Sequence, residues 1–281
     1  MHLNRFWSSV WTVAGFLLLI TLLQMIADEI VLLFGLLEAL APSAAQWALR
    51  VSHAVVPILA ALTYIDWRWG WKADNAGLRN TAAARFWLLP GLAGGLALAG
   101  VAFLLDGWGS VPQLNLAAGP LVQAALVSLA LFGVELILRG IVISRFQQDL
   151  SDRDVLILAL AVPVVWVVVA GAFGLGWPLP QIRADFAGLA GLAFSVLLSL
   201  LFLQTQSVWL VAGVHIGLYL GRSVLGLAYS QGGLFLVAAI PAAVLLWLEL
   251  NRMRTIRPAG PRQGKRRVVY GKTIRGPWGP H

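Results

Sequence analysis

Three residues of this sequence have the chemistry of a site: Glu135, Arg139 and His215. Glu135 and Arg139 lie four apart in the apolar run Val134-Glu135-Leu136-Ile137-Leu138-Arg139-Gly140. At that spacing they share one face of a helix, with the acid ahead of the base in the favourable order. Charges at membrane depth are expensive, so the pair reads either as a self-neutralising structural bridge or as a site. In the second case Glu135 is a general base or a metal ligand, and Arg139 keeps it ionised or orients it. His215 is the only histidine between His53 and the terminal His281.

The elements that must position these residues are helices in a bilayer. Of the 281 residues 59% are hydrophobic and 11% charged, against about 25% charged in a soluble domain. The fold class expected is an all-α polytopic membrane protein. Eight apolar segments approach the roughly 20 residues that a bilayer requires: 7–26, 46–64, 86–105, 120–143, 155–175, 187–203, 208–226 and 232–250. Gln204-Thr205-Gln206 alone joins the sixth and seventh, which predicts a tight antiparallel pair. Residues 30–41 are apolar but short, and read as an interfacial helix, a re-entrant helix or an extension of the first span. The N-terminus lacks a small-residue cleavage signature and reads as an uncleaved first span.

Basic residues set the orientation. With the tail in the cytoplasm, segments 66–85 (Arg68, Lys72, Arg79, Arg85) and 144–154 (Arg145, Arg153) are also cytoplasmic. The acids Asp28, Glu29, Glu38 and Asp106 fall outside, and both termini are cytoplasmic. Trp7, Trp67, Trp69, Trp71, Trp87, Trp209 and Trp247 mark the inner interface, and Trp47, Trp108 and Trp177 the outer one. The net charge of +8 sits mostly in the tail, where residues 251–281 hold nine basic side chains and no acid. This tail is expected to be disordered and to meet anionic lipid headgroups rather than nucleic acid. Residues 1–250 form the one membrane domain.

On this topology Glu135 and His215 both lie roughly 12–14 Å below the cytoplasmic face, at 1.5 Å per helical residue. They are placed to meet. Gly213, Gly217 and Gly221 form a small-residue stripe that lets another helix approach closely. His215 lies about 200° around the helix from Gly213 and shares the opposite face with Tyr219 and Arg222. His53 and Arg50 form a second polar spot in the outer half, read as a structural pair. One carboxylate and one imidazole leave a divalent-metal site incomplete, since catalytic zinc usually has three protein ligands. No cofactor is implied, and the absence of cysteine excludes thiolate sites.

At these residues the chain resembles the CPBP family of CAAX-prenyl-protease and bacteriocin-processing intramembrane proteases, over roughly residues 70–250. Glu135-xxx-Arg139-Gly140 matches the family's Glu-Glu-xxx-Arg motif, with Val134 in place of the first Glu. Ser207-Val208-Trp209 leads to His215, with Tyr219 where the family has Asn. Ala76-Gly77-Leu78-Arg79 is similar to its cytoplasmic loop. The second motif, Phe-xxx-His, aligns with Trp166 and Ala170. The resemblance implies a CPBP-like bundle in a bacterial inner membrane, with Glu135, Arg139, His215 and Tyr219 at the catalytic positions. With the first Glu, one His and the Asn replaced, it implies a degenerate site, a pseudoenzyme that binds a membrane protein or lipidated peptide. Two alternatives stand beside it. One is an active intramembrane endopeptidase with Glu135 as base and His215 in the oxyanion role. The other is a structural subunit of a larger membrane complex.

Overall fold

The computed structural model describes residues 2–36, 42–70, 76–78, 86–106, 111–172 and 188–255. Among them the chain is all-helical: α1 (His2–Leu36), α2 (Pro42–Trp69), α3 (Leu88–Asp106), α4 (Ala118–Glu135), a π-helical stretch (Leu136–Ile143), α5 (Ser144–Asp149), α6 (Asp152–Ala172), α7 (Gly188–Thr205), α8 (Val208–Ser223) and α9 (Gln231–Thr255). α4, the π stretch and α5 run on as one rod. Over the described residues, each of the eight segments expected from hydropathy overlaps a helical run. Five of those runs are long and apolar enough to cross a membrane: Phe6–Phe34, Ala44–Trp69, Leu88–Asp106, Ala118–Asp149 and Gln231–Arg254. Leu189–Thr205 is a shorter apolar helix. By the length and composition of these helices the protein is an integral membrane protein.

The tightest packing in the bundle is between α3 and α8. Gly91 and Gly95 of α3 meet Gly213 and Gly217 of α8 backbone to backbone. A Cβ on Gly213 would lie 2.5 Å from the Leu88 carbonyl oxygen, and one on Gly95 would run into the Val214 carbonyl. Without a hydrophobic drive between helices in lipid, such close approach supplies the van der Waals contact that holds them. The small-residue stripe thus behaves as expected, and Ala99 of α3 extends it by packing on Gly221.

Other expectations need correction. α7 and α8 are joined by a tight turn, but they are not each other's main partner. α7 packs chiefly on α9, and α8 on α3. The first helix does not end at residue 26. It continues to Leu36, which resolves residues 30–36 as an extension of the first span. Asp28 therefore belongs to the helix rather than an outer loop. Its carboxylate lies 2.9 Å from His53 Nε2 on α2 and accepts from Gln24 Nε2 at 2.8 Å and Ser52 Oγ at 3.2 Å. His53 thus pairs with Asp28, while Arg50 sits over the Trp47 ring and reaches Gln123. Satisfying these groups mutually is what makes them tolerable in an apolar span.

Trp7, Trp67, Trp87 and Trp247 are exposed, as an interfacial belt requires. Trp69 and Trp209 turn inward instead, Trp69 toward Gln148 and Trp209 onto Phe132. Lys72, Trp71, Arg79, Arg85, Glu38, Trp108, Trp177 and the tail beyond Thr255 lie outside the described residues.

The glycine seam gives a direct test. Gly95→Leu places a side chain against backbone that cannot retreat, so we expect destabilisation of about 1–3 kcal/mol or more. Gly100→Ala adds its methyl to open space and should leave the thermal midpoint in detergent nearly unchanged.

Candidate active site

Glu135 closes α4, and Arg139 lies within the π stretch that follows. π turns are rare and recur at functional sites. Both side chains are fully buried, with 0% exposure, and His215 on α8 is 3% exposed. Arg139 Nη1 sits astride the Glu135 carboxylate, 3.3 Å from Oε1 and 3.0 Å from Oε2. The Oε1 contact has hydrogen-bond geometry; the Oε2 contact is an ion pair only, and Oε2 accepts no hydrogen bond among the described residues. His215 Nδ1 lies 2.7 Å from Glu135 Oε1. A carboxylate only accepts, so with Glu135 ionised Nδ1 carries the proton. The edge of the Phe194 ring system packs on the imidazole, 5.3 Å between centroids. The depth match between Glu135 and His215 has become a direct contact.

Arg139 has a further partner that the sequence did not announce. Its Nη2 donates to the Ser195 carbonyl oxygen at 3.0 Å and to Ser195 Oγ at 2.8 Å, both on α7. The guanidinium is therefore clamped between the acid on its own rod and a serine on another. Ser195 sits in the run Ala193-Phe194-Ser195-Val196-Leu197, where one serine in an apolar helix carries no signal by itself.

The remaining expected site residues fare differently. Tyr219 is buried one turn beyond His215, among Ala124, Val127, Leu131, Ala212 and Ile216. Arg222 is exposed at the end of α8 and stacks over Tyr229 rather than joining the site. Val134, at the position of the first Glu, is 4% exposed and packs in the main apolar core. Trp166 and Ala170 fall on α6, and their side chains lie outside the described residues. Among the described residues no three His, Cys, Asp or Glu side chains gather as a metal site would require.

What this defines is a polytopic helical membrane protein with a closed Glu–Arg–His–Ser cluster linking three helices. Residues 115–221 match the model of the family described as type II CAAX prenyl endopeptidase Rce1-like. The matched stretch is narrower than residues 70–250, yet it contains Glu135, Arg139, Ser195, His215 and Tyr219, and the CPBP resemblance is borne out by it. No curated protein and no solved structure matches the chain.

Removing one partner of a buried ion pair leaves the other charge uncompensated, at about 3–5 kcal/mol. Arg139→Leu should therefore be strongly destabilising in denaturant titrations of the detergent-solubilised protein. The double variant Glu135→Leu/Arg139→Leu should recover much of the loss. Equal effects from the single and double variants would contradict a mutually compensating pair.

Proposed function

We propose that this protein is a CAAX-endopeptidase-like membrane protein that binds a lipidated peptide or a membrane partner without turning it over. The observation that carries this reading is the pairing of Val134 with Glu135. The first position of the motif is apolar core, and the second is a carboxylate whose Oε1 is already shared by His215 and Arg139. Peptide hydrolysis needs a base to activate water and donors to stabilise the oxyanion. Here the one available carboxylate is held at Oε1 by both His215 and Arg139 and is ion-paired at Oε2, and Tyr219 stands at the position where the family has Asn.

The same proposal includes eight transmembrane segments in a CPBP-like bundle with both termini cytoplasmic. Arg68, Arg145, Arg153, Arg252 and Arg254 then share one side, and the basic tail reaches anionic headgroups of a bacterial inner membrane.

A second reading is favoured by the 2.7 Å contact between Glu135 and His215. It makes the protein an active endopeptidase with Glu135 as base, Arg139 orienting it and His215 in the oxyanion role. Purified protein in proteoliposomes, given a prenylated CAAX peptide, separates the two. We expect retention of the peptide without cleavage. Cleavage that falls by about 10²–10⁴-fold in Glu135→Gln, the usual contribution of a general base, would overturn the binding reading in favour of the enzyme.

A further inference from the structure

At the end of the bundle where α7 turns into α8, a separate piece of chain packs against the helices that carry the cluster. Ala76, Gly77 and Leu78 come from the connection between α2 and α3, and all three are buried. The Gly77 carbonyl accepts a hydrogen bond from Val208 N at 3.3 Å. Gly77 has φ of +68°, a conformation that side chains other than glycine resist. A Cβ there would lie 2.9 Å from the Phe202 ring and 3.0 Å from the Gln206 carbonyl.

On its other side the strap rests on Gly140, the glycine that follows Arg139. A Cβ on Gly140 would come within 2.8 Å of the Ala76 carbonyl oxygen and 3.0 Å of Val208 Cγ2. Gly140 lies one residue from Arg139, and Val208 begins α8 two turns before His215. The strap therefore rests on both the rod carrying Glu135 and the helix carrying His215.

Its seat has its own tension. Gln206 is the only non-glycine residue with positive φ among the described residues, at 53°, and its side-chain amide caps α7 by donating to the Phe202 and Leu203 carbonyls. One main-chain hydrogen bond, two glycine seats and the packing of Ala76 and Leu78 in the main apolar core hold the strap.

We propose that Ala76–Gly77–Leu78 is a gate: the Glu135–His215 cluster becomes accessible from this end only when the strap lifts off Gly140 and the α7–α8 turn. The proposal deepens the reading of the cluster as a ligand site and rests on it. It also assigns Gly140 a task, as the seat of the strap rather than a part of the chemistry.

Because the chain has no cysteine, Ser195→Cys provides a single thiol beside Arg139. Its rate of modification by a small anionic methanethiosulfonate in proteoliposomes reads access to the cluster without requiring hydrolysis or peptide binding. With the strap intact we expect slow modification. Leu78→Ala should speed it about tenfold or more, the scale on which cutting a buried leucine loosens its surroundings. Gly77→Val should do the same, and Leu78→Ala carries the test if Gly77→Val fails to fold. Leu234→Ala, a truncation of a still more buried leucine on α9, should leave the rate unchanged. Fast modification with the strap intact, no change in Leu78→Ala, or an equal rise in Leu234→Ala would each overturn the gate. A strap that gates access in a protein that retains no prenylated peptide would leave the gate standing and remove the binding reading.

Discussion

The constraint on which the structure depends is the burial of one ion pair in an apolar membrane domain. An uncompensated charge at that depth is expensive enough that Glu135 and Arg139 must find each other and draw further hydrogen-bond partners from nearby helices. Three helices supply it. The α4 rod brings the pair, α8 brings His215 to Oε1, and α7 brings Ser195 to the far side of the guanidinium. Because no one helix can satisfy both charges, the cluster fixes where α7 and α8 stand relative to α4.

The glycine seam answers the complementary question of what holds α8 there. α8 has one face of glycine pressed on α3 and another bearing His215 and Tyr219. Close approach on the first face sets the depth and rotation of the second. A lipid-exposed helix held only by Leu packing would gain no such registration, since lipid tails are as apolar as leucine.

Much of this was legible in the sequence because hydropathy, small-residue spacing and charge cost act locally along one helix. The helical runs, the Glu135–Arg139 pair and the glycine stripe are single-helix patterns. The meeting of Glu135 and His215 followed from counting depth along two helices. What escaped had no local signature. Ser195 is one serine in an apolar stretch until Arg139 arrives from another helix. The π stretch over Leu136–Ile143 has no proline or glycine pair at its start to announce it. Hydropathy places Asp28 in a loop because a bilayer-length span ends before it, whereas the helix runs on and its carboxylate is compensated by His53 from α2. The pairing of α7 with α9, in place of α8, depends on surfaces that loop length does not report.

Ion-pair energetics also weigh on the chemistry. A general base becomes neutral when it takes its proton. Taking that proton moves the negative charge from Glu135 to the attacking oxygen, so Arg139 keeps a countercharge only where that oxygen lies beside it, while the contacts from Ser195 supply dipoles but no negative charge. Where it does not, the penalty for the uncompensated buried charge is about 3–5 kcal/mol, and each 1.36 kcal/mol is tenfold in rate. The loss is then about two to four powers of ten, the same size as the 10²–10⁴-fold that a general base contributes. In a neighbouring pair of carboxylates one could accept the proton while the other kept the arginine compensated. Val134 removes that second carboxylate. With Val134 at the neighbouring position, Glu135 alone among the described residues neutralises Arg139, and this is the physical ground on which the proposed binding reading rests.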